Sequence, residues 1–428
     1  METRFSPDQM KVPAIQVADS ILRKCVHCGF CTATCPTYVL LGDENDSPRG
    51  RIYMMRDMLE GDKKASAQVV RHVDRCLSCL SCMTTCPSNV HYMHLVDLAR
   101  AHIEKTFTRP FMDRVLRGIL ARLVPNPDLF RLSLIASRLG KPFRFLFSGR
   151  LGAMLSLGPK TIHGPDPIDR AGVFRALGPR THRVVLMTGC AQKVLRPAIN
   201  RATVNLLTRH GVEVVIAEKA GCCGALTHHM GREDDALASA RANIEAWEAV
   251  ERDGGLDAII INASGCGTTV KDYGHMLKDD PAFGARAEHL AGLTRDISEI
   301  MTEIGLQNGA EEKKLRVAYH SACSLQHGQN LKTEPVKLLG DAGFSVTEPW
   351  EAHICCGSAG TYNLLQPELA TRLGRRKSEN LDAVGADVIA TGNIGCLVQL
   401  NQYAGTPVVH SVELLDWATG GPRPEGLD

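Results

Sequence analysis

The sequence lacks several features that would place its chemistry in a familiar class. No run of about 18 apolar residues occurs in its 428 residues, so no segment is predicted to cross a bilayer. Lys and Arg (49) nearly balance Asp and Glu (47), so the chain as a whole is not a polyanion-binding protein. The dinucleotide fingerprint GxGxxG after a strand, the P-loop GxxxxGK[ST] and a hydrolytic triad are also absent. Substrate oxidation is therefore not expected in this chain.

A secretory signal is missing as well. The first twenty residues, METRFSPDQMKVPAIQVADS, lack the basic and then apolar segments of such a signal. We therefore expect the protein to stay in a reducing compartment. In that setting clustered cysteines are more often metal ligands or redox centres than structural disulfides, and this chain has sixteen of them.

Half of the cysteines form two copies of one motif near the N-terminus. Residues 25–36 read CVHCGFCTATCP and residues 76–87 read CLSCLSCMTTCP, and both fit CxxCxxCxxxCP. Three thiolates on one tight loop can hold one iron-sulfur cluster, while the fourth lies on the following helix and ligates the other cluster. The motifs therefore predict two [4Fe-4S] clusters. The expected ligands are Cys25, Cys28, Cys31 and Cys86 for the first, and Cys76, Cys79, Cys82 and Cys35 for the second.

A pair of zinc knuckles is the alternative interpretation of these motifs. Zinc favours tetrahedral sites built from CxxC pairs, whereas each run here has four cysteines and ends in proline. The stretch between the motifs, residues 36–75, has helical character and includes RGRIYMMRDMLEG. We therefore predict a helical ferredoxin domain over residues 1–104, whose crossed ligands keep the two clusters close enough for electron hopping.

A basic and apolar connector is predicted over residues 105–181. Its apolar residues are spaced as in amphipathic helices, which could lie on an anionic membrane or on an acidic partner, or could simply link two domains with their arginines in water. Nucleic acid is not an expected partner, because no motif that reads it accompanies the charge. Residues 158–182 are rich in Gly and Pro and are predicted to be a linker. The positive residues are Lys105, Arg109, Arg114, Arg117, Arg122, Arg131, Arg138, Lys141, Arg144, Arg150 and Lys160.

The other eight cysteines reveal a tandem repeat. In each copy a single cysteine precedes a Cys-Cys pair by 32 positions, and one more cysteine follows the pair. The flanking segments also match, as in GCCGALTHH and ICCGSAGTY. The copies are assigned to residues 182–312 and 313–428. Their cysteines are Cys190, Cys222, Cys223 and Cys266, and Cys323, Cys355, Cys356 and Cys396.

Each of these cysteines follows an apolar, β-branched run such as RVVLMTGC or DVIATGNIGC, and helical segments lie between the runs. This alternation predicts two α/β domains with parallel, Rossmann-like sheets, so the whole chain is expected to be a multidomain α+β protein. Parallel strands end at one edge of a sheet, where ligands collect. Four cysteines that are distant in sequence should therefore meet in each copy.

The repeat resembles the cysteine-rich CCG domain of heterodisulfide reductase subunits and related respiratory proteins. That family closes with a CxxC pair, whereas this sequence has Thr269 and Gln399 where the last cysteine would stand. Each copy could therefore hold a [4Fe-4S] centre or another metal, contain a redox-active cysteine pair, or use its cysteines only for packing. Nearby histidines could tune such a centre or relay protons, or be ordinary surface or core residues. They are His228, His229, His275 and His327.

Over essentially its full length the chain resembles the iron-sulfur subunit of bacterial glycolate oxidase, on segments such as ADSILRKCVHCGFCTATCPTY, DRCLSCLSCMTTCPS, AGCCGAL and ASGCGTTVKDYGHMLK. The resemblance implies a complex with two FAD-binding subunits, in which a flavin oxidises glycolate to glyoxylate and this chain, which carries no flavin, passes the electrons toward a membrane quinone. It further implies a cytoplasmic protein bound peripherally to the inner face of the cell membrane.

Two related assignments remain open. The iron-sulfur subunit of anaerobic glycerol-3-phosphate dehydrogenase resembles this chain in architecture, and lactate dehydrogenase systems use related electron-transfer subunits. A disulfide reductase acting through the CCG centres is the catalytic alternative, and the missing fifth cysteines count against it. No residue of this chain is predicted to contact glycolate.

Overall fold

The N-terminal part of the chain, as far as the structure describes it, is built of helices and loops without strands. The computed structural model describes residues 1–140, 149–150, 152, 154, 158, 161–307 and 314–427. Lys141, Arg144 and Lys160, counted above in the connector, lie outside these residues. The helices of the ferredoxin part and the connector are Pro13–Lys24, Phe30–Ala33, Pro36–Leu41, Pro48–Glu60, Ala67–Asp74, Ser81–Thr84, Tyr92–Thr106, Phe111–Leu123 and Pro127–Gly140.

The helix Pro48–Glu60 organises the core of this part. Ser47 caps it by accepting a hydrogen bond from the Gly50 N–H, and Pro48 occupies the first helical position, where a missing N–H costs nothing. Its buried face, with Ile52 and Met55, packs against Leu95 of the helix Tyr92–Thr106. The core thereby joins the long helix that lies between the two cysteine loops to the helix that follows the second loop.

The first repeat contains a five-stranded sheet in the order β1-β3-β2-β4-β5. The four strands β2 to β5 run parallel, and β1 pairs with β3 in the antiparallel direction. The strands are β1 (Gly172–Phe174), β2 (His182–Met187), β3 (Val212–Ile216), β4 (Ala258–Ile261) and β5 (Thr294–Asp296).

The second repeat contains a four-stranded parallel sheet in the order β7-β6-β8-β9, which matches β3-β2-β4-β5 of the first. The strands are β6 (Arg316–His320), β7 (Ser345–Thr347), β8 (Val388–Thr391) and β9 (Val408–His410). The predicted fold class, a helical N-terminal part followed by parallel α/β repeats, is confirmed. The helices of both repeats are Gln192–Leu195, Ala198–Arg209, Ala225–His229, Glu233–Gly254, Ser264–Lys271, Tyr273–Met276, Gly284–Leu293, Ile297–Ile304, Glu334–Asp341, Tyr362–Leu365, Pro367–Asp382, Ile394–Leu400 and Ser411–Ala418.

The segment predicted as a linker contributes to the first sheet. Within residues 158–182, Gly172–Phe174 forms β1, with Val173 opposite Val215 of β3. The strand has only three residues and is surrounded by proline and glycine. The sequence pattern of this segment is therefore typical of a linker and does not indicate a strand. The edge of the sheet beyond β3 is thereby covered by the chain that enters the repeat.

The two repeats share one hydrophobic core. Alternate residues of β2 point to opposite faces of its sheet. Val184 and Leu186 pack in the same core as Val317 of β6, whereas Val185 packs with Trp247 on the other face. Because both sheets are buried on one side against each other, the repeats are held in a fixed orientation.

A glycine follows each Cys-Cys pair for a steric reason. Gly224 and Gly357 have φ values of +84° and +88°, a conformation that side chains rarely adopt. A Cβ atom on Gly357 would also lie 2.7 Å from the Ala370 carbonyl oxygen in the helix Pro367–Asp382. The backbone at the pair therefore leaves no room for another residue.

We predict that Gly357→Ala lowers the free energy of unfolding by about 3 kcal/mol, because the left-handed backbone costs an alanine about 1 kcal/mol and the clash with Ala370 adds to it. Gly385→Ala is the matched control, since Gly385 has φ +68° and nothing within 4 Å of its added Cβ. It should cost only about 1 kcal/mol in urea unfolding of the full chain. Equal losses for the two variants would contradict the steric argument.

Candidate metal centres

The two ferredoxin loops have the same backbone conformation. The second and fourth residues after the first cysteine of each loop have positive φ values. These are His27 (56°) and Gly29 (88°) in the first loop, and Ser78 (50°) and Leu80 (62°) in the second. Three non-glycine residues in this conformation mark a turn that the surrounding structure imposes. Each loop thereby wraps its first three cysteines around one space.

Two adjacent cavities are lined by the thiols of both loops. The two cavities share Cys82, Pro48 and Tyr92 in their walls and therefore lie side by side. Five sulfur atoms line the first cavity and four line the second, with Cys82 in both, so eight thiols can supply the four ligands that each of two [4Fe-4S] clusters needs. The cysteines are Cys25, Cys28, Cys31, Cys82 and Cys86 around the first cavity, and Cys35, Cys76, Cys79 and Cys82 around the second.

The protonation of these thiols also suits a metal site. Burial, followed by the nearby thiols Cys25 and Cys35, raises the pKa of Cys31 to about 11. Burial also raises the pKa of Cys79 and of Cys82 well above the ordinary value. The protein alone would therefore keep these thiols protonated at neutral pH, and a bound cation is needed to stabilise their thiolates.

A buried ionic network supports the second cavity. Arg51, of which 1% is exposed, donates to the His72 carbonyl oxygen (2.7 Å) and lies 3.3 Å from the Asp46 carboxylate. Asp46 also accepts from Arg75 (2.6 Å), and the Arg51 guanidinium approaches the Cys35 sulfur at 3.8 Å. This arrangement places a fixed positive charge beside a predicted ligand of the second cluster.

Arg100 holds the second loop from the other side. Its guanidinium donates to the Ser78 hydroxyl (2.6 Å) and to the Cys76 carbonyl oxygen (2.7 Å). The sequence did not predict the roles of Arg51 and Arg100, because nothing in the local pattern distinguishes a buried arginine from a solvated one.

We predict that Arg51→Gln lowers the free energy of unfolding by about 3 kcal/mol, because it leaves the fully buried Asp46 carboxylate with fewer partners. Arg23→Gln, which removes an exposed i,i+4 pair with Asp19, is the control and should change it by less than about 0.5 kcal/mol. Urea unfolding of the full chain measures both. A small loss for Arg51→Gln would show that the network is not a determinant of stability.

The four thiols of each repeat also converge at the carboxyl edge of the sheet. In the first repeat the Cys222 thiol lies near enough to Cys190 and Cys223 to change its pKa, and Cys223 and Cys266 interact in the same way. In the second repeat the Cys323 and Cys355 sulfur atoms lie 3.7 Å apart, and Cys356 lies near enough to Cys355 and Cys396 for these thiols to change its pKa. The parallel sheets thus bring together the cysteines that the sequence assigned to each copy.

The residues at the missing fifth cysteine positions are engaged elsewhere. Gln399 donates from its side-chain amide to the Ala370 carbonyl oxygen (2.9 Å) and accepts from Asn363 (3.3 Å). The Thr269 hydroxyl donates weakly to the Gly265 carbonyl oxygen (3.4 Å). Neither side chain is oriented as a further ligand.

The second repeat contains one more donor, which sequence analysis missed. His320 at the end of β6 is 1% exposed, and neither ring nitrogen has a hydrogen-bond partner among the described residues. A ring nitrogen and the sulfur atoms of Cys356 and Cys396 all lie within 4.8 Å of one another. Burial and then the Lys377 charge hold the pKa of His320 well below its usual value, so the imidazole is neutral. The signal was present in RVAYHSAC, which has His where RVVLMTGC has Met187.

The second ferredoxin loop packs directly on the second repeat. Leu77 and Cys79 share a hydrophobic cluster with Ile354, Cys355 and Tyr362. The Tyr362 hydroxyl donates to the Arg75 carbonyl oxygen (3.1 Å). This contact brings a thiol of the second cavity next to the thiols of the second repeat.

His327 strengthens the same contact. Its Nδ1 lies 2.7 Å from the Thr84 hydroxyl, and its Nε2 donates to the His353 carbonyl oxygen (3.2 Å). Both ring nitrogens are thus occupied, and the residue joins the ferredoxin part to the second repeat.

The remaining histidines lie between the ferredoxin part and the first repeat. His228 and His229 lie 3.3 and 3.7 Å from the Asp97 carboxylate, and the His275 ring stacks on His94 at 3.4 Å between ring centroids. They pair with a carboxylate or another ring across the interface, and His229 also lines a small cavity that reaches Cys76 of the second ferredoxin loop.

Comparison with known proteins agrees with this organisation. Residues 21–90 match the family model of the 4Fe-4S dicluster domain, and residues 184–271 and 317–401 match the cysteine-rich domain. A crystal structure of a hypothetical protein from Helicobacter pylori covers 89% of this chain and 69% of its own, with a TM-score of 0.51 and 11% identity, which is a likeness of fold alone. Fold and cysteine sites define an iron-sulfur protein with a dicluster domain and two cysteine-rich domains.

The relatives identify the family. The glycolate oxidase iron-sulfur subunit of Escherichia coli (strain K12) is 40% identical over 98% of this chain and 99% of its own length. The probable glycolate oxidase iron-sulfur subunit of Bacillus subtilis (strain 168) is 33% identical over 89% of this chain and 88% of its own. The chain belongs to the glycolate oxidase iron-sulfur subunit family, as the sequence analysis predicted. Among the residues that the structure describes, no helix is long and apolar enough to cross a membrane.

Proposed function

We propose that this protein is the electron-transfer subunit of a glycolate oxidase complex, which receives electrons from two FAD-binding subunits that oxidise glycolate to glyoxylate and delivers them toward a membrane quinone. The observation that carries the proposal is the unbroken series of thiol-lined sites. The two ferredoxin cavities share a wall, and Cys79 of the second lies in one hydrophobic cluster with Cys323 and Cys355. Electron carriers need this kind of proximity.

The two repeats extend the series. Asn393 caps the helix that carries Cys396, and its amide donates to the Ser264 hydroxyl (2.9 Å), at the start of the helix that carries Cys266. The two helices therefore begin side by side. We propose that both repeats hold iron-sulfur centres, on Cys323, Cys355, Cys356 and Cys396 and on Cys190, Cys222, Cys223 and Cys266.

The division of labour follows from the chemistry of the groups. Iron-sulfur clusters, when bound, supply reversible one-electron reduction. The protein supplies the thiol ligands, the hydrogen bonds that shape the loops, and buried positive charge. Arg51 beside Cys35 would favour reduction of a cluster held in the second ferredoxin site, because a fixed cation stabilises the reduced and more negative state.

An apolar cavity supports the proposed quinone end of the pathway. It has a volume of about 450 Å³ and is lined by Leu120 and Leu134 of the connector helices and by residues next to the cysteines of both repeats, such as Ala191, Ser358 and Gly395. An apolar ring of quinone size fits an apolar cavity of this size, and its position would place it beside both sets of thiols.

The connector also offers a surface for peripheral membrane contact. Phe111 and Leu132 are 66% and 63% exposed, and Ile119 is exposed between them in sequence. Arg114, Arg122 and Arg138 are exposed around this apolar face. Such a combination suits an anionic bilayer surface.

Two other connector arginines have a different role. Arg109 and Arg117 are buried and pair with Asp74 at 2.7 and 2.9 Å. They attach the connector to the ferredoxin part and are not available to a membrane.

We predict that Cys28→Ser abolishes glycolate-dependent quinone reduction by the complex reconstituted with its two flavin subunits, because the first ferredoxin site loses a thiol ligand. Ser88→Ala changes a residue of the same cavity that is not a thiol and should keep nearly full activity. Glycolate oxidation with an artificial dye that accepts electrons from flavin should survive in both variants. Full quinone-linked activity of the complex with Cys28→Ser would contradict the electron-transfer proposal.

We predict that the double variant Phe111→Glu with Leu132→Glu loses at least tenfold in binding to vesicles containing anionic lipid, because two charges enter the apolar face. Leu177→Glu is the control, since Leu177 is 72% exposed away from the connector helices. Vesicle sedimentation of the full chain measures this. Undiminished binding of the double variant would place the membrane contact on another surface.

A further inference from the structure

The two repeats differ at one buried position beside their thiols. His320 ends β6, and Met187 occupies the matching position at the end of β2. Both residues are almost fully buried. A methionine fills such a place by packing alone. A histidine with two unpartnered ring nitrogens does not, because buried polar atoms normally have a partner.

The surroundings of His320 indicate what its partner is. A ring nitrogen shares a 4.8 Å sphere with the sulfur atoms of Cys356 and Cys396, which are 1% and 3% exposed. No carboxylate or carbonyl of the described residues accepts a hydrogen bond from the ring. Two thiols and an imidazole at this separation are a metal-ligand set with mixed sulfur and nitrogen donors.

We infer that His320 is a ligand of the metal centre in the second repeat, where a ring nitrogen joins the thiolates of Cys323, Cys355, Cys356 and Cys396 and takes the place of the missing fifth cysteine. The inference deepens the proposed function and rests on it, since it requires an iron-sulfur centre at this site. The first repeat, with Met187, would hold its centre by thiolates alone.

The chemistry has a direct consequence for electron flow. A neutral imidazole adds no negative charge, whereas a thiolate adds one, and histidine ligation raises the reduction potential of iron-sulfur centres. A second difference acts in the same direction. Lys377, buried near Cys355 and Cys356, corresponds to the uncharged Asn243 of the first repeat, because Ala370 and Ala236 pack on Gly357 and Gly224 in the same way. The second repeat should therefore hold the centre of higher potential.

The test uses the full chain, reconstituted anaerobically with ⁵⁷Fe and labelled with ¹⁵N-histidine. Iron, sulfide and zinc are counted, Mössbauer spectra resolve an iron with a nitrogen ligand whatever its spin state, and pulsed EPR of the reduced protein detects histidine nitrogen coupled to a cluster. We expect more than eight irons per chain, as two [4Fe-4S] clusters account for eight. We also expect one iron site with a histidine nitrogen ligand.

Two reciprocal variants assign that nitrogen. His320→Met copies the first repeat and should abolish the histidine coupling and lower one midpoint potential, while the two ferredoxin signals stay unchanged. Met187→His should add a second nitrogen-ligated centre. The wild-type measurement by itself keeps the inference testable if His320→Met does not fold.

The outcomes separate this inference from the proposed function. More than eight irons without a histidine-ligated iron, or a coupling that persists in His320→Met, would overturn the role of His320 and leave the electron-transfer proposal intact. Eight irons, or zinc in the second repeat, would overturn both the ligand and the proposed extra centre. Absence of the two ferredoxin signals would overturn the proposed function itself.

Discussion

Parallel pairing of strands is the constraint on which the arrangement of the repeats depends. In both sheets the central strand is followed by a single cysteine, one neighbour leads to the Cys-Cys pair, and the other leads to the helix with the last cysteine. Because all three strands run in the same direction, their ends lie at one edge. Cysteines separated by 32 or more positions thereby come within contact, as the 3.7 Å between the Cys323 and Cys355 sulfur atoms illustrates.

Burial then determines what these thiols can do. Contact with Cys355 and burial raise the pKa of Cys323 well above its usual value, and the same direction holds for Cys356. Protonated thiols such as those of the second repeat are weak ligands, so the binding of metal there must release protons and stabilise the fold at the same time. The close approach of helix backbone at Gly224 and Gly357 makes the sites compact.

The two repeats share one arrangement of strands and cysteines, but they differ in the polar residues that are buried near the thiols. The second repeat contacts the ferredoxin loop through Cys355 and Tyr362, and it contains His320 and Lys377. The first repeat contacts the ferredoxin part through the pairing of His228 and His229 with Asp97. The first contact lies next to thiols and combines an apolar cluster with hydrogen bonds of Tyr362 and His327, whereas the second is ionic. The first suits electron transfer, while the second fixes orientation and can hold protons.

Sequence alone determined the family, the helical and α/β fold classes, the duplication and the two groups of eight cysteines, because spacing along a loop and alternation of strand and helix are local properties. The assignment of ligands to clusters stays a prediction of the motif. Only the tertiary structure revealed β1 inside the expected linker, the burial of Arg51, Arg109 and Arg117, and the position of His320. The sequence does not show whether an arginine or histidine side chain contacts water, a carboxylate or a thiol, because those contacts are made by residues distant in the chain.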